Sequence, residues 1–222
     1  MDFISAQSLK IQWIHDYSIV YIFFIIFFIL SCLISVFLNK YFNKVEKENP
    51  RLEFWWTFFS AFIILLIASI NISNFYSPLK REEIFTTVKI QGNQWFWKFE
   101  TNWENYYISF DSCIIPIREL NQGDFRLIEV DNKLILPLNK ICRFCLRSSD
   151  VIHSVNIPSI GIKIDVVPGR INEFLCKFSF PGLYYGNCSE ICGRGHSFMP
   201  FVIEVTSEIC FQNFIKISKF GI

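Results

Sequence analysis

The chain has 222 residues, a formal net charge of +1, a mean hydropathy of +0.34 and 26 phenylalanines. This length accommodates either one large domain or a membrane anchor with a modest domain, and the hydropathy favours the second arrangement. The balanced charge lacks the basic excess typical of nucleic-acid-binding proteins, so we expect no nucleic-acid partner.

Two long uncharged segments lie in the N-terminal part of the chain, and we place the membrane spans at about 17–39 and 54–78. Each exceeds the roughly 20 residues that a helix needs to cross a hydrocarbon layer of about 30 Å. The first segment is too long for a signal peptide and is followed by no small-residue cleavage site. The pattern therefore predicts a transmembrane helix hairpin within residues 1–80.

The loop between the two spans is basic. It contains Lys40, Lys44, Lys47 and Arg51, whereas only Lys10 precedes the first span. Because basic loops stay on the cytoplasmic or matrix side, we expect both chain termini on the opposite side of the membrane.

The remaining residues, 81–222, have the pattern of an all-β domain. Alternating polar and apolar residues predict strands at 85–91, 124–130 and 201–205. Turn signals follow at Gln122-Gly123, Pro168-Gly169 and Pro181-Gly182. No β-α-β pattern occurs, and about 140 residues of short strands are typical of a Greek-key sandwich or barrel.

An aromatic segment and several carboxylates lie in this domain. If residues 94–99 form a strand, Trp95, Trp97 and Phe99 share one face, as in core packing. Nearby acidic residues either form a negative face for a basic partner or are scattered on the surface. They are Glu100, Glu104, Asp111, Glu129, Asp131 and Asp150.

The chain has eight cysteines, of which Cys142 and Cys145 form a C-x2-C motif that resembles a redox pair or half a zinc site. In a strand, however, residues three apart point to opposite faces, so we assign this motif to structure. The disulfide state of Cys113, Cys142, Cys145, Cys176 and Cys210 does not follow from the sequence.

The most informative motif is Cys188-x3-Cys192-x3-His196-x2-Met199. Thiolate and thioether sulfurs select copper, and a weak axial Met is typical of copper electron-transfer sites. Closed tetrahedral zinc is the alternative. If both thiolates bridge, the loop holds two copper ions, and each ion then requires its own terminal imidazole.

A second imidazole has one candidate in this domain. The chain has three histidines, and His153 is the only one besides His196 that lies outside the N-terminal segment. It follows the apolar-rich residues 134–146, so we predict it at a strand end or in the loop that leaves the strand. A histidine there is either hydrogen-bonded surface or the missing ligand.

With these motifs the chain resembles subunit II of the haem-copper cytochrome c oxidases, most closely the mitochondrial form. The matching stretches include Asp150-Val-Ile-His-Ser154, Gln94-Trp-Phe-Trp97, Glu129-Val-Asp-Asn132, and residues 157–163, 168–170 and 181–200. The resemblance implies a cupredoxin-like copper domain that contains the dinuclear mixed-valence CuA centre.

The resemblance also implies a role for each site residue. Cys188 and Cys192 bridge the coppers, His153 and His196 are terminal ligands, and Met199 and the Glu190 carbonyl are axial. The Glu190 carboxylate helps to bind magnesium at the contact with subunit I, as suits a hard oxygen ligand. Trp95 receives electrons from cytochrome c.

From the same resemblance we expect an electron-transfer subunit that passes electrons from cytochrome c to haem in subunit I. Oxygen reduction to water there is coupled to proton pumping. The implied partners are subunits I and III, cytochrome c and the lipid bilayer of the mitochondrial inner membrane, with the copper domain in the intermembrane space. Glu53 either marks a proton path into subunit I or is a solvated helix-start carboxylate.

Three alternatives remain on sequence grounds, besides the quinol-oxidase subunits, which the intact ligand positions exclude. A membrane-tethered copper chaperone of the thioredoxin type shares Cys-x3-Cys but typically has one span and a β-α-β pattern. The copper domain of nitrous oxide reductase lacks the paired spans, and quinol-oxidase subunits lack the ligands. A purely structural scaffold has no need of two imidazoles and the Met.

Overall fold

The computed structural model describes residues 6–41, 48–75, 83–103 and 106–218. The chain divides into two compact units, one of residues Lys10–Pro78 and one of Leu79–Ile222 together with Met1–Leu9. The expected domain boundary at residue 80 stays a prediction, because residues 76–82 lie outside the described ranges.

The helical unit contains α1 (Ala6–Leu38) and α2 (Pro50–Phe75). Within them, Ser8–Leu38 and Pro50–Ile72 are long and apolar enough to cross a membrane. Many of their large apolar side chains are exposed, and a lipid environment would cover such a surface.

Both helices begin earlier than the predicted spans, for local reasons. In α2, Asn49 acts as the N-cap, because its side-chain oxygen accepts a hydrogen bond from the Leu52 N–H at 3.2 Å. Pro50 then occupies the first helical position, which it favours. In α1, the side-chain amide of Gln12 donates to the Asp16 carboxylate one turn away at 2.8 Å, which supports the helix before the predicted span.

The second unit is a sandwich of two five-stranded sheets. Its strands are β1 (Ile84–Asn93), β2 (Phe96–Trp103), β3 (Tyr106–Ser112), β4 (Leu134–Pro137), β5 (Ile141–Ser148), β6 (His153–Ile157), β7 (Ile162–Val166), β8 (Asn172–Lys177), β9 (Gly182–Cys188) and β10 (Pro200–Thr206). One sheet has the order β3-β2-β1-β5-β8 and the other β4-β10-β9-β6-β7. The pairs β1–β5 and β4–β10 are parallel, and the other strand pairs of the described sheets are antiparallel.

The two sheets share one core, built from the inward residues of alternating strands. Trp97 of β2 packs edge-to-face on Phe201 of β10, with ring centroids 5.6 Å apart. Phe144 and Phe174 stack at 4.7 Å between β5 and β8. The predicted strands at 85–91 and 201–205 are confirmed, since they lie within β1 and β10.

The predicted strand at 124–130 is wrong. These residues form turns, and only Val130 makes a bridge, to Ile114. The physical reason is local: Leu127 has φ of +69°, which breaks an extended run, and the Asp124 carboxylate accepts the Asn121 N–H at 2.8 Å.

A third helix, α3 (Glu208–Ser218), ends the described chain and was missed in the all-β prediction. Phe211 and Ile215, one turn apart, are buried, and Phe211 contacts Phe85 of β1 with ring centroids 5.9 Å apart. The helix is therefore held by one apolar face.

All eight cysteines lie in the described ranges, and all are free thiols. Cys142 is buried and Cys145 half-buried on β5, as the strand geometry predicts. Cys142 lies directly opposite Cys176 of β8 in the antiparallel register.

Candidate metal centre

The predicted ligand loop connects two strands of one sheet. Cys188 is the last residue of β9, and β10 begins at Pro200 directly after Met199. Between them, His196 opens a short 3-10 turn, in which its N–H donates to the Gly193 carbonyl at 3.2 Å. The loop is thereby anchored at both ends by strands.

Strand pairing brings His153 to this loop from 35 residues away. His153 is the first residue of β6, rather than the end of a strand or the loop after it. In the β6–β9 pair Val155 lies opposite Cys188, and the Ser189 N–H donates to the Ser154 carbonyl at 3.0 Å. The imidazole therefore faces the end of β9.

The two thiols and two imidazoles form a continuous chain of contacts. The Sγ atoms of Cys188 and Cys192 are 3.9 Å apart. The Nδ1 atom of His153 lies 3.9 Å from the Cys188 sulfur, and the Nδ1 atom of His196 lies 3.6 Å from the Cys192 sulfur. The two imidazoles and the two sulfurs thus lie in one cluster.

The two predicted axial donors lie beside the same sulfurs. The Met199 Sδ atom is 3.5 Å from the Cys192 Sγ atom, and the Glu190 carbonyl oxygen is 3.3 Å from the Cys188 Sγ atom. Met199 is buried and Glu190 is half-buried. All six residues predicted to bind metal are therefore brought together.

The two thiols of the site have different pKa values. Burial alone raises the pKa of Cys188, but hydrogen bonds, first of all from His153, outweigh it and lower the pKa to about 6. Burial, followed by the neighbouring charge of Cys188, raises the pKa of Cys192 to about 12. In the metal-free chain one thiolate therefore forms more readily than two.

The pKa values of His153 and Asp150 are also shifted by their contacts. Burial lowers the pKa of His153, but its contacts with Cys188 and Asp150 outweigh that effect and raise it. Partial burial raises the pKa of Asp150, but hydrogen bonds from His153, Val151 and Gln94 hold it below its usual value. The Cys188 thiolate and the Asp150 carboxylate each stabilise the protonated imidazole of His153, and the imidazole stabilises both anions.

The donor set is that of a soft-metal site. The ligand atoms of His153, Cys188 and Cys192 all lie within 4.8 Å of one another and are buried. His196 lies beside Cys192, and Met199 adds a thioether. Soft sulfur and imidazole donors suit copper.

Trp95 lies next to the loop but not in a strand. It belongs to the turn between β1 and β2, is 39% exposed, and directs its indole N–H toward the Cys192 carbonyl at 3.4 Å. The expectation that Trp95, Trp97 and Phe99 share a strand face is wrong for Trp95, because β2 begins only at Phe96. Trp97 and Phe99 are fully buried, so core packing is confirmed for them.

Of the acidic residues that form either a negative face or scattered surface charges, Glu129 and Glu100 have partners within the domain. Glu129 is buried and accepts a hydrogen bond from the Tyr185 hydroxyl at 3.0 Å, so it forms no part of a surface. The Glu100 carboxylate lies within 4.0 Å of both Lys89 and Arg147. Glu104 lies outside the described residues.

Three residues of the site were missed in sequence reasoning. Asp150 contacts the His153 ring, and the Gln94 side chain and the Trp97 indole donate to the Cys192 and Met199 carbonyls at 2.7 and 2.9 Å. Of the three, only Asp150 could have been recognised from the sequence, because it is a carboxylate three residues before a candidate ligand. The other two contacts join residues about a hundred positions apart, beyond the reach of any local pattern.

Comparison with known proteins identifies the family. Residues 86–206 match the family model described as Cytochrome C oxidase subunit II, periplasmic domain, and residues 2–73 match that of the transmembrane domain. The chain belongs to the cytochrome c oxidase subunit II family. Cytochrome c oxidase subunit 2 of Ctenocephalides felis is 45% identical over 170 residues, which cover 76% of this chain and 73% of that relative.

Solved structures of subunit II have the same β domain. The periplasmic domain of subunit II (CoxB) of Bradyrhizobium japonicum matches with 37% identity and a TM-score of 0.57, over 62% of this chain and 96% of that domain. Subunit II CoxBPD, solved as a mixed disulfide intermediate with the thioredoxin-like TlpAs, matches with 34% identity and a TM-score of 0.55, over 65% and 97%.

These findings confirm the family, the fold and the class of the protein. It is an integral membrane protein with two transmembrane helices and a cupredoxin-like β domain, and it is a subunit of a haem-copper oxidase.

Proposed function

We propose that this subunit II chain is the electron-accepting subunit of a cytochrome c oxidase. Cytochrome c delivers electrons to a dinuclear CuA centre on residues 188–199 and His153, and haem in subunit I receives them for reduction of oxygen to water coupled to proton pumping. One observation carries the proposal: two thiols 3.9 Å apart each have an imidazole nitrogen within 3.9 Å, with a thioether and a carbonyl beside them.

In this proposal the residues of the chain form a rigid metal site that excludes water. Cys188, Cys192, His153, His196, Met199 and the Glu190 carbonyl would hold the copper pair. When bound, the copper pair takes up and releases single electrons. Because the two thiols, Met199 and His153 are all at most 5% exposed, water is excluded and the ligands are restrained by packing.

Trp95 is proposed as the first residue to receive electrons from cytochrome c. It is the partly exposed aromatic side chain that contacts the loop through the Cys192 carbonyl. Trp97, two residues further along the chain, is fully buried, and its indole N–H donates to the Met199 carbonyl. This hydrogen bond restrains the backbone of a proposed ligand.

The remaining roles are proposed from family membership. The half-buried Glu190 carboxylate helps to bind magnesium at a contact with subunit I, and subunit III completes the complex. The protein lies in the mitochondrial inner membrane, with both termini and the copper domain in the intermembrane space. Glu53, exposed in the first turn of α2, marks the start of a proton path.

The experiment that tests this function uses the assembled oxidase with its oxygen site blocked by cyanide. We expect rapid mixing with ferrocytochrome c to give prompt oxidation in the wild type and its loss in His196→Asn, with haem spectra unchanged. The matched control is His15→Asn, since His15 lies in α1. Prompt oxidation that survives in His196→Asn would contradict the proposed function.

A further inference from the structure

One carboxylate joins a proposed ligand to the turn that carries Trp95. The Asp150 Oδ1 atom lies 2.8 Å from the His153 Nε2 atom and accepts the Val151 N–H at 2.7 Å. Its Oδ2 atom accepts the Gln94 N–H at 2.7 Å. Gln94 and Trp95 form the turn between β1 and β2, so the two oxygens of Asp150 serve two different parts of the site.

The contact with Asp150 fixes how His153 is presented. Because Nε2 faces a carboxylate, it carries the proton, and Nδ1, which faces the Cys188 sulfur, is the nitrogen free to bind metal. The ring is also held by packing. Trp97 stands edge-to-face at 5.9 Å, and a Cβ atom on Gly92 would lie only 2.8 Å from the ring.

Gln94 attaches the turn between β1 and β2 to the proposed ligand loop. Its side-chain amide donates to the Cys192 carbonyl at 2.7 Å, beside the longer contact from the Trp95 indole at 3.4 Å. The indole packs on the loop backbone, because a Cβ atom on Gly195 would lie 2.5 Å from the Trp95 Cγ atom. The absence of a side chain at 195 is what permits this close approach.

We propose that Asp150 and Gln94 together form a hydrogen-bonded bridge that sets the position of Trp95 relative to the metal ligands. Asp150 is a positioning residue for both His153 and the turn, whereas Gln94 positions the turn against Cys192. The inference rests on the proposed function, since it concerns the route by which electrons reach the ligands. It gives Asp150 a role inside the site.

Replacing Asp150 and replacing Gln94 should change different properties of the site. Asp150→Asn weakens the hold on the His153 ring and on the turn, so both the ligand field and electron uptake respond. Gln94→Ala releases only the turn, so the ligand field stays as it is while electron uptake slows. An exposed carboxylate of the same domain, Asp165 on β7, supplies the matched control Asp165→Asn.

The alternative role of Asp150 is surface attraction of a basic donor, because its side chain is 30% exposed. A docking carboxylate acts through long-range charge, and its removal changes the association rate and the salt dependence. A positioning carboxylate acts at short range, and its removal changes the histidine nitrogen couplings and the retention of copper. The two roles therefore predict different measurements.

The test uses the assembled oxidase with each of the three variants. Three quantities are measured: nitrogen hyperfine couplings of the copper centre, copper retained against a chelator, and cytochrome c oxidation over a range of ionic strengths. For Asp150→Asn we expect one altered histidine coupling, copper loss about tenfold faster, electron uptake about tenfold slower, and an unchanged salt dependence. For Gln94→Ala we expect unchanged couplings and uptake slower by roughly threefold or more.

Three results would overturn the bridge. The first is Asp150→Asn with wild-type couplings and an altered salt dependence, which assigns Asp150 to docking. The second is Gln94→Ala with wild-type electron uptake, and this variant decides the matter if Asp150→Asn does not assemble. The third is Asp165→Asn behaving as Asp150→Asn does. A wild-type oxidase without a copper pair would instead refute the proposed function itself.

Discussion

Two pairs of buried cysteines lie in the same β domain, and their surroundings differ. Cys142 and Cys176 face each other across β5 and β8, and burial raises the pKa of each to about 12. Cys188 and Cys192 are buried to a similar degree, yet their pKa values are split to about 6 and about 12.

The difference lies in the neighbours rather than in burial. The Cys188 sulfur has the His153 imidazole and the Glu190 carbonyl within 3.9 Å, and Cys192 has His196 and Met199. The pKa of Cys142 is raised by burial alone, and that of Cys176 by burial and then by the charge of Cys142. Apolar burial keeps a thiol protonated, whereas polar partners favour the thiolate, which is the form that binds metal.

The largest expected effect separates the two pairs directly. We expect Cys188→Ala in the assembled oxidase to lose both coppers and to slow cytochrome c oxidation by more than about a hundredfold, since even outer partners of metal ligands cost 10–100-fold. Cys142→Ala should keep both coppers and cost about 1 kcal/mol of unfolding free energy. Copper analysis and denaturant unfolding check the two outcomes, and equal copper loss in both variants would erase the contrast.

The proposed ligand Met199, next to Cys192, can be replaced by a side chain of similar volume. Met199→Leu should cost less than about 1.5 kcal/mol of stability, shift the reduction potential of the centre and slow cytochrome c oxidation by roughly tenfold. The control is Leu136→Met, a buried position on β4 away from the loop. Redox titration is the measurement, and an unchanged potential in Met199→Leu means that Met199 is not a ligand.

A partly exposed aromatic side chain, Trp95, lies beside the loop that contains Cys192. We expect Trp95→Ala to slow electron uptake by roughly tenfold and to leave the copper spectrum intact, because the indole touches the loop at the Cys192 carbonyl and at the backbone of Gly193 and Gly195. Phe180→Ala, at another exposed aromatic residue, is the control. An altered spectrum in Trp95→Ala would show that this side chain packs the site rather than receiving electrons.

The smallest expected effect is a difference in protonation. A lowered pKa makes Cys188 a thiolate in the metal-free chain at pH 8, whereas raised pKa values keep Cys142 and Cys176 as thiols to well above pH 9. Raman spectra at pH 8 should therefore lose S–H stretching intensity in Cys142→Ala but none in Cys188→Ala. Equal losses in the two variants would mean that the pairs have the same protonation.

Much of the site followed from the sequence because the ligand loop is local. Five of the six proposed ligands lie within twelve residues, and the scarcity of histidine left His153 as the one candidate for the sixth. The contacts of Asp150 and Gln94 did not follow, because hydrogen bonds to residues 56 and 98 positions away depend on how strands pair. Leu127 explains the wrong strand, since a positive φ leaves no mark in an alternating pattern.

The central claim is that two copper ions share the sulfurs of Cys188 and Cys192. The most direct measurement combines copper analysis of the purified oxidase with paramagnetic resonance of its oxidised form. We expect two coppers assignable to this chain and a hyperfine pattern of one electron shared equally by two copper nuclei, abolished in Cys192→Ala. A single copper with hyperfine structure from one nucleus, or zinc in its place, would contradict it.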